Sequence, residues 1–556
     1  MTTAADLRLY TPLVPPLQHP GFKHAGEPKP DKIVLPQGYQ HVQGGRRLPQ
    51  SLVFLKDQPI PTREGDIYGD FFMPEGTDAL PVILHWTPYG KTDKGVINYS
   101  LTTNNAGVRQ DSISWLNTFE GLDPAEWCTR DYIIAQVDLM GASFSAGPLE
   151  QWTQREAWCL YDVIDWISKQ KWSNGAIGMA GNSWLATGQI NVATKAPHPA
   201  LKALAPWEGM TDEYVDLTRR GGVPQFAFPK FISNGLAGHN GIEDFARETQ
   251  EYSLHTHPVW QEKALAVERL SIPTYILASY STGLHTPGSV RTFRESTQLQ
   301  DKWLRWHNAQ EWSDLYKTAN TNDLQKFFDY YLAGKTDNGW PQAPRVRLAL
   351  LDFYNKGTDI VGKVENEYPL KRQELVKLFL NAKLGSLESK PVTESSSASY
   401  EAHSEHSRLA FRYTFTKRQS LVGFSAATLF VEPSTETHLD IHVMLRKVSA
   451  SGQLLSHTNF DHGSYEVPLT NSTENEPHYN FDSLGPKIRP SQVVEVQIPI
   501  WPGGIVFNAG ESIELHVAGH SMRLPEFPML AGLHDENDGQ HTPPEDSINR
   551  MLYCRL

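Results

Sequence analysis

The sequence predicts an α/β fold: a parallel sheet covered by helices, a helical cap inserted between two of its strands, and a C-terminal β-sandwich or jelly roll. Three observations carry this expectation. Short apolar runs alternate with segments of helical period, the pattern of strands buried on both faces. The rhythm breaks between Gly209 and Ser271 into helical, aromatic and Gly-rich pieces. From about residue 345, short strands of alternating polarity separated by turn residues take over.

A Pro-rich arm occupies residues 1–50, and the segment Leu52 to Pro74 alternates apolar and polar residues around the turn signal Arg63-Glu64-Gly65-Asp66, as antiparallel strands do. The core is expected at 51–208 and 266–340. Its strands are Leu80–Trp86, Tyr132–Asp138, Ala176–Ala180, Leu201–Ala205, Thr274–Ala278 and Lys302–Trp306, and its helices include Glu156–Gln170 and Ser183–Lys195. Residues 209–265 form the cap. An insertion at the C-terminal edge of such a sheet commonly covers a site. Residues 345–556 form the sandwich, with strands at Thr428–Glu432, His438–Leu445, Val493–Ile500 and Ser512–Val517, and Glu394 to Ser407 reads as an exposed loop.

Composition narrows the function. The 556 residues are 39% apolar and 20% charged, enough for several packed units and unlike a disordered or fibrous chain. Fifty basic residues stand against 63 acidic ones, a net charge of -13, and no basic run tracks phosphates. Nucleic acid and anionic membranes are therefore poor partners. The start of the chain lacks a basic and apolar leader, and no uninterrupted apolar stretch is long enough to span a bilayer, so the expectation is a soluble, unsecreted protein. Cys128, Cys159 and Cys554 have no metal-like spacing and read as free thiols. We expect no metal and no cofactor.

The chemistry centres on Gly178-Met-Ala-Gly181-Asn182-Ser183-Trp184-Leu185, which sets a serine between an apolar strand and a helix. A sharp turn there lifts a hydroxyl above the sheet and beside helix N-terminal amides that stabilise an oxyanion. The fifth motif position is Leu185 rather than glycine, and the plainer alternative is a serine that caps the helix. Ser143, in Gly141-Ala-Ser143, also follows an apolar strand, but loop residues rather than a helix come after it.

At these residues the chain resembles the cocaine-esterase-like and X-prolyl dipeptidyl-peptidase-like hydrolases, the CocE/NonD family. The resemblance covers most of the chain. It rests on Pro61-Thr-Arg-Glu-Gly65, Thr87-Pro-Tyr89-Gly-Lys91, the run from Trp172 to Trp184, Ala205-Pro-Trp-Glu-Gly209, and the β-rich last third with Ile500-Trp-Pro502. It implies an α/β-hydrolase sheet with a cap and a jelly roll, acting on an ester or amide. It further implies Ser183 as nucleophile, with the Trp184 amide and the Tyr89 hydroxyl as oxyanion donors. For Tyr89 the alternative is an aromatic packed against the cap.

Two departures stand out. The family's Asp-x-Arg-Gly turn is Asp138-Leu139-Met140-Gly141 here, and the acid expected after the strand ending near Ser279 is replaced by Thr282, which cannot carry the charge that stabilises an imidazolium. His307 is the first choice of base and His285 its competitor; the alternative for either is a neutral histidine bonded to a loop. Glu208 is the expected replacement acid, because it follows the strand neighbouring both the serine turn and Thr282. Asp212, four residues on, is the alternative, and a helix cap is the non-catalytic reading of either.

Three functions compete: hydrolysis of an ester, lactone or amide; transfer of the acyl group to an internal nucleophile or cleavage of a carbon–carbon bond by the same serine; and non-catalytic binding by a degenerate triad. The expected partner is a small molecule, its identity and the oligomeric state being open. The last residues, Cys554-Arg555-Leu556, follow the small, basic, leucine logic of a peroxisomal address read by an import receptor, with a cytoplasmic location as the alternative. A reporter carrying the last dozen residues should collect in peroxisomes; diffuse cytosolic fluorescence removes the targeting expectation.

Overall fold

The fold is described from a computed structural model over residues 3–433, except 22–25, 92–96, 102–104, 106, 281–283, 310, 354–357, 402–403 and 405, and beyond that over 441–455, 457–458, 466–467, 479–480, 483–484, 493–520, 522 and 548–553. Cys554, with the tail it belongs to, lies outside the described residues, as do Thr282 and residues 438–440 of one expected strand.

Eleven strands make the central sheet: β1 (Asp31–Leu35), β2 (Leu52–Thr62), β3 (Gly65–Pro74), β4 (Leu80–Thr87), β5 (Ile133–Asp138), β6 (Ser173–Asn182), β7 (Leu201–Trp207), β8 (Thr274–Ser279), β9 (Lys302–His307), β10 (Val346–Leu350) and β11 (Ile360–Glu365). Their order is β11-β10-β9-β8-β7-β6-β4-β5-β3-β2-β1. Strands β5, β4, β6, β7, β8, β9 and β10 run parallel to their neighbours in that block. The outer strands β11, β3, β2 and β1 pair antiparallel. All six residues of β5 and of β8 are buried, as strands covered on both faces must be. The strand ends that carry Ser183, Glu208, Ser279 and His307 therefore stand side by side on one edge.

Helix α1 (Gln154–Ser168) opens on Thr153, whose hydroxyl accepts from the Glu156 amide, and packs its apolar face on the sheet beside α2 (Ser183–Lys195). The cap holds a π-turn at Tyr214–Thr218 and the helices α3 (Ala227–Gly235), α4 (Phe245–Glu251) and α5 (Pro258–Lys263). Of its aromatics, Tyr214 and Trp260 form a small core of their own with Val259, and Tyr252 packs against it.

The arm is more structured than its proline content suggests. Residues 31–35 extend the sheet as β1, and Tyr10–Thr11 pair with Ile242–Glu243 of the cap. Arg8 reaches Glu150 at 3.2 Å and Glu243 at 3.5 Å, all three buried. A second correction concerns Glu394 to Ser407. Ser396–Glu401 is a strand there, paired with Ile548–Tyr553. A Ser-rich segment has weak apolar alternation, and its pairing comes from a partner about 150 residues away, which local sequence does not disclose.

The C-terminal region stacks a six-stranded and a four-stranded sheet, the latter built on the long antiparallel pair of Gln419–Pro433 and Val494–Phe507. Its core is not separate. Ile276, Leu304 and Leu348 of β8, β9 and β10 share one apolar cluster with Leu429, Ile498 and Ile505. Lys447, buried in that region, is held by the Val506 carbonyl at 2.8 Å and by Asp352 and Glu511 at 3.0 Å each.

One buried histidine fixes the loop that faces the site from the β4 side. His85 Nε2 accepts from the Leu122 amide at 3.2 Å, so the ring must be neutral there, and burial pushes its pKa down to about 3. The unfolded chain binds that proton near pH 6.5. Stability from His85 is thus present above pH 6.5 and is lost as pH falls toward 3, on the order of 1 kcal/mol per pH unit. Urea unfolding of His85→Gln, which keeps an acceptor without a titration, should show a correspondingly shallower loss between pH 6 and 4.

Candidate active site

The turn between β6 and α2 is built on two unusual backbone conformations. Gly181 has φ +123°, and a Cβ there would lie 2.8 Å from the Leu185 side chain and 3.0 Å from the Glu120 carbonyl. Only glycine fits. Ser183 itself has φ +53°, a strained value for a residue with a Cβ. Its amide donates to the Glu208 carbonyl at 2.9 Å. Leu185, which departs from the short motif, is fully buried against Gly181 and so belongs to the packing of the turn. Ser143 also has positive φ, but its hydroxyl serves the buried Asp138 carboxyl and no helix follows it.

Glu208 follows β7 directly, with φ +66° and its amide donating to the Leu277 carbonyl at 3.1 Å. Its carboxylate reaches across the neighbouring strand ends. Oε2 accepts from Ser279 Oγ at 2.7 Å and Oε1 pairs closely with His307 Nε2. Ser279 and His307 are register partners on β8 and β9, which is why one carboxylate meets both. His307 Nδ1 lies 3.6 Å from Asp314 and makes no hydrogen bond among the described residues. Asp314 is tied to Arg305 at 2.7 Å, whose charge holds the Asp314 carboxyl well below the usual carboxylate range despite burial.

On the other side of Ser183, the Tyr89 phenol interacts with the Ser183 hydroxyl and with the Glu120 carboxyl. Burial, reinforced by Glu120, raises the phenol well above its ordinary pKa, so it keeps its proton and can donate. The ring is set edge-on to Phe119 at 5.1 Å and to Trp184 at 6.4 Å. The Trp184 amide lies in the first turn of α2, where a backbone N–H has no partner within the helix. Glu120 is buried, accepts from Trp312 Nε1 at 3.1 Å, and is pushed well above the carboxylate range first by burial and then by Glu311. His285, just before the helix α6 (Thr286–Glu295), brings Nδ1 to 3.2 Å from Glu311.

The structure therefore brings Ser183, Tyr89, Trp184, Glu208, His307 and His285 to one edge of the sheet. Asp212 is drawn elsewhere: it binds His255 at 2.9 Å and the Tyr214 amide at 3.0 Å inside the cap. The Arg missing from the Asp138 turn has a counterpart in Lys91, which lies 3.6 Å from Asp138 and 2.9 Å from Asp57. Two further carboxyls meet here, besides those singled out from the sequence. Glu311 has a signal, four residues after His307 in the same short run, whereas Glu120 sits in an unremarkable loop and converges only through the fold.

Two family descriptions match the chain: X-Pro dipeptidyl-peptidase (S15 family) over residues 66–312 and the X-Pro dipeptidyl-peptidase C-terminal non-catalytic domain over residues 338–542. A crystal structure of a CocE/NonD family hydrolase from Staphylococcus aureus superposes with a TM-score of 0.84 at 26% identity, covering 96% of both chains. An α-amino acid ester hydrolase shares the fold, with a TM-score of 0.64 at 19% identity over 90% of this chain and 94% of that one. Cocaine esterase of Rhodococcus sp. is 29% identical over 156 residues, which is 28% of this chain and 23% of the esterase. The curated relatives are thus matched over about a quarter of their own length. The chain belongs to the X-Pro dipeptidyl-peptidase-like, CocE/NonD hydrolases, which are serine hydrolases on an α/β-hydrolase sheet.

If the Tyr89 hydroxyl serves the reacting oxygen, Tyr89→Phe should lower kcat about 10²-fold with little change in KM, the loss typical of one oxyanion donor. Steady-state kinetics on a chromogenic ester measures it.

Proposed function

We propose that the protein cleaves an ester, or a lactone or amide, of a small organic molecule through a Ser183 acyl-enzyme. The observation that carries this reading is the Glu208–His307 pair beside the strained Ser183 turn. In the proposed cycle the His307 imidazole, held by Glu208, accepts the Ser183 proton, and Oγ attacks the substrate carbonyl. The oxyanion then meets the Tyr89 phenol and the Trp184 amide. Collapse of the tetrahedral intermediate releases the alcohol or amine, which takes the proton from His307, and water repeats the sequence to free the acid. Glu208 stabilises the imidazolium in each half and keeps the ring oriented. A glutamate on the strand before the usual acid position can do this because roles in a triad are geometric.

An ester is favoured by the partial likeness to cocaine esterase. An apolar acyl or alcohol group is favoured by the ring cluster of Tyr89, Phe119, Tyr99 and Trp312, with centroids of successive neighbours 4.8–5.2 Å apart around Phe119.

Ser183→Ala should abolish turnover and fluorophosphonate labelling with a nearly unchanged Tm. Glu208→Gln should keep labelling detectable while lowering the chemical step by roughly 10²- to 10⁴-fold. Full activity in Ser183→Ala ends the serine reading. Mass spectrometry of products made in isotopically labelled water separates hydrolysis, which places the label in the acid, from internal acyl transfer, which leaves it out.

A further inference from the structure

Three side chains at this edge are arranged in a way that the hydrolytic cycle does not require. Glu208, His285 and Glu311 are each at most 2% exposed, and one ligand atom from each lies within 4.8 Å of the other two. His285 Nδ1 approaches Glu311 Oε2 to 3.2 Å, yet neither ring nitrogen of His285 makes a hydrogen bond among the described residues. A buried imidazole without hydrogen bonds is costly. Some ligand is expected to meet it.

The donor set identifies the ligand's chemistry. One imidazole and two carboxylates form a mixed nitrogen and oxygen set of low coordination number, suited to a borderline transition-metal ion; calcium and magnesium want six or more oxygens. Around a tetrahedral ion with bonds of about 2.0–2.1 Å, neighbouring ligand atoms lie roughly 3.3 Å apart. The 3.2 Å between His285 and Glu311 already has that spacing. Glu208 is engaged with His307 and Ser279, but each carboxylate oxygen has a second lone-pair direction. His307 would then stand behind the ligand Glu208, as carboxylate–imidazole pairs do around zinc.

We propose that Glu208, His285 and Glu311 form a site for a divalent ion of the zinc class, and that its occupancy turns the Ser183 centre off. An ion held by Glu208 occupies the carboxylate that pairs with His307 and orients it, so the base loses the partner that positions it. It also carries positive charge beside the nucleophile's own base. No bond to substrate is made or broken by the ion. The inhibition half rests on the reading of Ser183 and His307 given above; the binding half does not.

The two halves are tested separately. Equilibrium dialysis of full-length Ser183→Ala protein against zinc chloride should show one ion per chain, weakened by roughly 10²-fold or more when His285→Asn or Glu311→Gln is added, since each removes a ligand atom at nearly constant volume. Adding His257→Ala, a change in the outer cap, should leave binding as it was. Visible absorption of the cobalt-loaded protein reports whether the ion is tetrahedral. Absence of a stoichiometric ion, or binding indifferent to both His285→Asn and Glu311→Gln, overturns the site. For the second half, zinc chloride should block fluorophosphonate labelling of the wild type, a chelator should restore it, and magnesium chloride should do nothing. Undiminished labelling at saturating zinc overturns the switch while the site stands. A wild type that never labels, with or without metal, overturns the serine-hydrolase reading and leaves the binding result intact.

Discussion

The 2.9 Å hydrogen bond from the Ser183 amide to the Glu208 carbonyl is the constraint on which the rest of the site depends. Each end of that bond belongs to a non-glycine residue in the left-handed region. Such conformations cost on the order of 1 kcal/mol or more each and persist only where the surroundings leave no alternative. Here the surroundings are two adjacent parallel strands that end at the same level, with Gly181 permitting the turn on one and the Leu277 carbonyl anchoring the other. Because the two backbones are tied, Ser183 and Glu208 stay adjacent. Strand spacing sets the distance between the two backbones, and Ser279 and His307 then fix where the Glu208 carboxylate lies.

Around that bond the protein concentrates carboxyls where water is scarce. Glu120, Glu208 and Glu311 are all buried, and burial, with Glu311 adding to it, holds Glu120 well above the usual carboxylate range. A neutral Glu120 beside Tyr89 can share a hydrogen bond without competing for the negative charge that a reacting carbonyl would develop. Asp314 shows the opposite case. With Arg305 at 2.7 Å it stays ionised, 3.6 Å from His307 Nδ1. Charge at this edge is thus governed by which acids have a cation beside them.

Much of the architecture is legible in the chain. The strands from Leu80 to His307 are continuous apolar runs because both faces are covered, and α2 can be read from Ser183 to Lys195 residue for residue. The closeness of Glu208 and His307 follows from strand order, since both residues stand at the ends of parallel strands. The convergence of Glu120 and Glu311 is not legible, because it depends on how two loops fold back over the edge, and loops carry no period. Ser396–Glu401 is hidden for a related reason: its partner strand lies near the other end of the domain. The docking of Arg8 onto Glu150 and Glu243 is likewise a contact between segments that share no pattern.

The apolar cluster common to β8, β9, β10 and the sandwich has a consequence for how the molecule is made. A ribosome delivers His307 long before it delivers Leu429, Ile498 and Ile505, so the strand that positions His307 emerges with one flank of its core still missing. Until the last third of the chain arrives, that flank is an uncovered apolar face on a sheet whose neighbouring strands are already present. The nascent protein must wait in an incomplete form, open to chaperones and to aggregation. The strand that carries His307 is fully packed only once Leu429, Ile498 and Ile505 have been made.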